Sequence, residues 1–143
     1  GATSSFDALI DTVNTVCGWW RELGDAANMG ERNLTTSLVF GGAVLYTTYV
    51  PTGDICEYGG RGNLHALYFR TGTAYTEPFL IAADTAQFRT TKINLGQGMP
   101  SEPSLYVSGD QTKVFIQAGG GVVSPETGIP GLPHSGIILW KAQ

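Results

Sequence analysis

The sequence predicts an all-β, antiparallel fold with one short N-terminal helix. Three observations point there. Twenty glycines and only 14% charged residues suit many short strands joined by tight turns. The apolar runs are short, rich in β-branched and aromatic residues, and bounded by Gly or Pro. Helical periodicity occurs in one stretch alone, near the start.

That stretch is Ser4 to Val16. Ser4 is placed to cap it, with Asp7 three residues on completing a capping-box spacing, and Phe6, Leu9, Ile10, Val13 and Val16 recur on one face. The stripe reads as a face packed against a sheet. Gly18 ends the helix, and Trp19 to Leu23, where Trp20 and Leu23 do not alternate cleanly, reads as a short strand or a bulged one. The adjacent Trp19 and Trp20 have two readings. One has a ring in the core and the other over a loop; the other is a stacking platform for sugars.

The centre of the chain is Gly30 to Tyr75. Leu34 to Phe40 is β-rich, and Gly41-Gly42 follows as a two-residue hairpin turn, whose central residues need positive φ. Ala43 to Val50 returns as the most strongly β-branched and aromatic run, and Pro51, which cannot donate to a ladder, ends it. Leu64 to Phe69 is a third strand, closed by Arg70-Thr71-Gly72. Three such strands make a meander, the unit of a propeller blade. Beyond it, Glu77 to Ala82 is a weak strand. Gln87 to Leu95 alternates, with Phe88, Ile93 and Leu95 as burial candidates. Ser104 to Val107 and Thr112 to Gln117 flank a Gly109-Asp110 turn. Gly119-Gly120-Gly121 reads as a flexible break before Val122-Val123, Ser124 to Pro133 as a loop, and Gly136 to Lys141 as a last strand. The expected organisation is one domain over 1–143: helix about 4–16, first meander about 18–75, second about 78–143. With blades of about 40 to 50 residues, this is two to three blades of propeller-like sequence.

The order Gly18-Trp19-Trp20, Gly30-Glu31-Arg32, Gly41-Gly42, Thr47-Thr48-Tyr49-Val50-Pro51, Asp54-Ile55-Cys56, Gly59-Gly60, Asn63 to Tyr68 and Thr71 to Tyr75 resembles the C-terminal end of the PilY/PilC family, large proteins of type IV pilus tips. The likeness continues through Gly98 to Ser101 and Pro103 to Val107 to Trp140-Lys141, so it covers nearly the whole chain. It implies a non-enzymatic β-propeller segment of a longer, exported protein, at the cell surface or outside the cell. The role implied is pilus assembly, surface adhesion and twitching motility. The implied partners are pilins and tip-complex subunits, with the missing blades supplied by the rest of the parent propeller or by self-association. The start at Gly1, without Met, fits an excised piece. The family's Asp-rich calcium loop has no counterpart here, so no metal or other cofactor is carried over.

Cys17 and Cys56 are the only cysteines, too few and too far apart for a local metal knuckle. An exported parent favours a bridge between them, a constraint of roughly 4 kcal/mol; the alternative is two separate buried thiols.

Other function classes find little support. A net charge of −4 with 8 Lys+Arg offers no footprint for nucleic acid or for anionic lipid. No run is long enough for a membrane-spanning helix, and Gly1 to Ser5 lacks the charged start and apolar core of a signal peptide. Asp54 and Glu57 are too few oxygens for calcium, and Gly59 to Gly62 lacks the Lys-Ser/Thr of a phosphate loop. Asn33-Leu34-Thr35 fits a glycosylation acceptor but sits at a strand start in a bacterial-looking chain. His65, read as facing solvent from its strand, and His134 in the proline loop anchor no triad, since no Gly-x-Ser-x-Gly elbow exists. Two rival functions remain: a structural subunit that assembles through open sheet edges, and a carbohydrate-binding β-domain using Trp19, Trp20 and the tyrosines.

Overall fold

A computed structural model describes residues 5–53, 59–81, 91–109 and 111–129. The fold is mostly antiparallel β with one short helix, as the composition requires. Helix α1 spans Phe6–Asn14, and the strands are β1 Leu38–Phe40, β2 Ala43–Val50, β3 Arg61–Tyr68, β4 Leu80–Ile81, β5 Lys92–Gln97, β6 Ser104–Ser108, β7 Gln111–Ala118, β8 Gly121–Val123 and β9 Glu126–Thr127. They form a four-stranded sheet β1-β2-β3-β5, a three-stranded sheet β6-β7-β8, and the pair β4-β9. Among the described residues no helix is long and apolar enough to cross a membrane.

The helix starts one residue later than its capping spacing suggested. Ser5 is the cap, its Oγ accepting from the Ala8 amide at 3.3 Å, and Ser4 lies outside the described residues. Phe6, Leu9, Ile10 and Val13 are half-buried and Val16 is exposed, so the face packs only lightly. Its main anchor is Phe6, whose ring meets Tyr68 at 5.3 Å and Tyr75 at 5.6 Å.

The Gly41-Gly42 turn forms as expected, at φ 55° and 82°. It sets the register Phe40↔Ala43 on one side and lets β2 pair with β3 along its full length, from Ala43↔Tyr68 to Val50↔Arg61. The strand before it is shorter than the β-rich run. Asn33 Oδ1 accepts from the Thr35 amide at 3.1 Å, a local bond that takes the backbone off the ladder. Pairing survives on either side, as a lone bridge Arg32↔Tyr49 and then as β1.

Three further expectations are corrected. Trp19 to Leu23 is not a strand: the place beside the end of β2 is taken by Arg32, whose amide and carbonyl bond Tyr49 at 3.0 and 2.9 Å. Gly119-Gly120 is a tight turn rather than a loose break, closing β7 on β8 with Ala118 opposite Gly121. The loop from Ser124 contains β9, which pairs with β4 through Leu80↔Thr127 and Ile81↔Glu126. Gln87 to Thr90, with Phe88, and the strand expected at Gly136 to Lys141 lie outside the described residues.

One apolar cluster draws on all three sheets. Leu45, Leu64, Ala66 and Leu95 come from the large sheet, Val114, Ile116 and Ala118 from β7, Leu80 from β4, with Phe79 and Ile129 between them. Ile93, the other candidate on β5, is half-buried against its rim.

Candidate functional site

Strands β2 and β3 turn one set of side chains into this core and the alternate set to the opposite face, as the period of two demands. On that second face the pairs Tyr46↔His65 and Thr48↔Asn63 stand side by side, and β5 adds Lys92 opposite His65. An ordinary sheet would leave these polar groups in water. Here Thr48, Asn63 and His65 are each 2% exposed or less, because the segment leading into Arg32 lies over them and brings Glu31 down onto the sheet.

Glu31 is the centre of a closed polar network. Its Oε1 accepts from Thr48 Oγ1 at 2.5 Å and Asn63 Nδ2 at 3.2 Å and lies 3.0 Å from His65 Nε2; its Oε2 accepts from Lys92 Nζ at 3.0 Å. Burial alone would raise the Glu31 pKa, but the bonds from Thr48, Lys92 and His65 outweigh it and hold the carboxyl at about 2. Burial pushes the His65 imidazole below its ordinary value against the pull of Glu31, so the ring is neutral at pH 7. A neutral ring donating from Nε2 to Glu31 leaves Nδ1 as an acceptor, and Nδ1 is buried with no partner among the described residues. The Tyr46 ring stacks flat on this imidazole, centroids 4.8 Å apart and planes within 2°.

A carboxylate carrying four donors, with a pKa far below neutrality, is a poor general base. The group ties four separate stretches of chain together: the segment before β1, then β2, β3 and β5. His65 is thus buried and bonded instead of facing solvent. Thr48, Asn63 and His65 carried the signal for this: polar residues on one face of paired strands that bury both faces need a common partner.

Beside the network lies a shallow hollow of about 250 Å³, lined by Trp19, Arg21, Asn33, Ser37, Val44 and Tyr46 among others. Trp19 is half-buried and fixed. Its Nε1 donates to the Phe69 carbonyl at 2.8 Å, and its ring sits where a side chain on Gly72 would stand, 2.3 Å from the position of a Cβ there. Trp20 is 84% exposed, so neither ring fills the core.

Cys17 is exposed, and Cys56, the partner expected for it, lies outside the described residues together with Asp54 and Glu57 of its loop. So does His134. Among the described residues no three His, Cys, Asp or Glu side chains gather as metal ligands would. No family model, curated protein or solved structure matches the chain.

Proposed function

We propose that this chain is a non-catalytic docking domain of a type IV pilus tip protein, the C-terminal propeller segment of a PilY/PilC-like parent. In this reading it works outside the cell, holds pilins and tip subunits, and needs no cofactor. One observation supports it above the others. The motifs that carry the resemblance are the pieces of a single structural device: Glu31 of Gly30-Glu31-Arg32 is bonded to Thr48 of the Thr47–Pro51 run and to Asn63 and His65 of the Asn63–Tyr68 run. The Gly41-Gly42 turn and Gly72, under Trp19, complete the same meander. A likeness made of scaffold positions suits a protein whose work is to present surfaces.

The test is location and consequence. Sheared pili from the source organism, probed with antibody to residues 1–143, are expected to carry the protein. Removing these residues from the full-length protein is expected to abolish surface pili and twitching. Normal piliation and motility in that deletion would reject the reading.

A second reading rests on the edges. Among the described residues β1 and β6 each have one strand neighbour, and exposed Val39 and Tyr106 stand on them. Open edges recruit strands, so a structural subunit assembling edge to edge is the alternative. Light scattering during size-exclusion chromatography decides: a concentration-independent monomer removes the self-assembling subunit, whereas filaments remove a role confined to the tip.

A further inference from the structure

We infer that the hollow beside the Glu31 network is a binding site for one carboxylate-bearing sugar ring, of the uronic acid class. The site stands on its own residues, whether or not the chain works at a pilus tip.

Its walls are set before any ligand arrives. Trp19 is held by its bond to Phe69 and by the absence of a side chain at Gly72. Tyr46 is backed by the His65 ring, which is bonded in turn to Glu31. A floor that does not rearrange loses little entropy on binding. An indole wall and the Val44 side chain offer apolar surface to the C–H face of a sugar, while the Ser37 hydroxyl and the Asn33 amide group offer partners for its hydroxyls. Asn33 uses its Oδ1 on the Thr35 amide, which fixes the side chain and leaves its NH₂ as the donor.

Arg21 supplies the selectivity. It lines the hollow, and its charge acts on both Tyr46 and His65. Among the described residues it has no ion-pair partner and makes no side-chain hydrogen bond: the carboxylate paired nearby is Glu31, already taken by Lys92 and His65. A guanidinium with five donors and no acid, in the same lining as Trp19 and Tyr46, favours a planar carboxylate. The hollow's volume, below that of drug-sized pockets, suits a single ring.

The experiment is a titration of the full chain, ¹⁵N-labelled, with methyl glucuronide, methyl glucoside and N-acetylglutamate, followed at the Trp19 indole and the Ser37 and Val44 amides. Glucuronide is expected to shift these signals saturably, with affinity about tenfold above both controls, the worth of one charge-assisted hydrogen bond. Arg21→Gln is expected to leave the fold intact and bring glucuronide down to the glucoside level. Ser37→Ala is expected to weaken both sugars alike and keep their ratio. Three results overturn the assignment: glucoside binding as tightly as glucuronide, acetylglutamate binding as tightly as glucuronide, or no saturable shift at these residues. An Arg21→Gln protein that keeps the tenfold preference overturns it as well.

Discussion

The two large sheets bury themselves differently. In β7 every second residue is buried, Thr112, Val114, Ile116 and Ala118, and the residues between them face water. In β3 six consecutive residues, Gly62 to Leu67, are buried. The β6-β7-β8 sheet has one dry face. The β2–β3 pair has two, one apolar and one polar, and the polar one is dry because Glu31 closes it. The difference teaches where specificity lies. One face is held by area, which tolerates substitution within its volume. The other is held by a set of hydrogen bonds in which each group needs the rest.

The largest expected effect follows from that contrast. Glu31→Ala strands Thr48, Asn63 and His65 without their shared acceptor in a place water does not reach, and takes the partner of the half-exposed Lys92. The cost is about 3 to 5 kcal/mol, read as a fall in the midpoint of urea unfolding at constant slope. Glu31→Gln, which keeps an acceptor and loses the charge, is expected to cost less. If Glu31→Ala unfolds at the same urea concentration as the parent chain, the polar face contributes no stability and the comparison fails.

Gly72→Ala comes next. Gly72 sits at φ 67°, and a Cβ there would stand 2.3 Å from the Trp19 ring. The backbone strain is of order 1 kcal/mol and the ring must also move. Trp19 fluorescence should shift to the red as the indole leaves its place, together with a lower melting temperature. An unchanged spectrum would mean that the ring is not held there.

Acid should act on the polar face first. Glu31 has a folded pKa of about 2, below that of a free carboxyl, so its contribution is present above the unfolded value and lost as pH falls toward 2. His65, whose folded pKa is also depressed, takes its proton more readily when unfolded, so stability falls as pH drops below the imidazole's ordinary value. Both groups act in the same direction. Melting temperature is expected to decline from pH 7 downward in two stages, the upper removed by His65→Gln and the lower by Glu31→Gln. A flat profile between pH 7 and 3 would contradict both assignments.

How much of this was legible in the sequence follows the same division. β7 declared itself by alternation, and the Gly41-Gly42 turn by its chemistry, because local rules decide both. Propensity carries the strand ending at Phe40 back to Leu34 because it sees the threonines and not the Asn33 side chain bonding the Thr35 amide. Trp19 to Leu23 looks like a strand for a related reason: the indole's partner, the Phe69 carbonyl, lies 50 residues away. Gly30-Glu31-Arg32 was visible only as a motif, and His65 only as a lone histidine. Their meeting depends on four segments converging, and no periodicity reports a contact of that range. β9 was hidden because it is two residues long and its partner β4 is no longer.

The smallest effects belong to the one-faced sheet and calibrate the rest. Ile116 is 1% exposed among Val114, Leu80 and their neighbours in the core, so Ile116→Val removes one methyl group from a packed site at a cost of about 1 kcal/mol. Tyr106, 57% exposed on the opposite face of β6, bonds nothing among the described residues, and Tyr106→Ser should change stability by no more than about 0.5 kcal/mol. The pair tests whether β6-β7-β8 has one dry face or two. A Tyr106→Ser loss comparable to that of Ile116→Val would mean that the outer face is covered in solution, by another chain or another copy. That loss would then grow with protein concentration, because mass action stabilises a surface that is buried only on association.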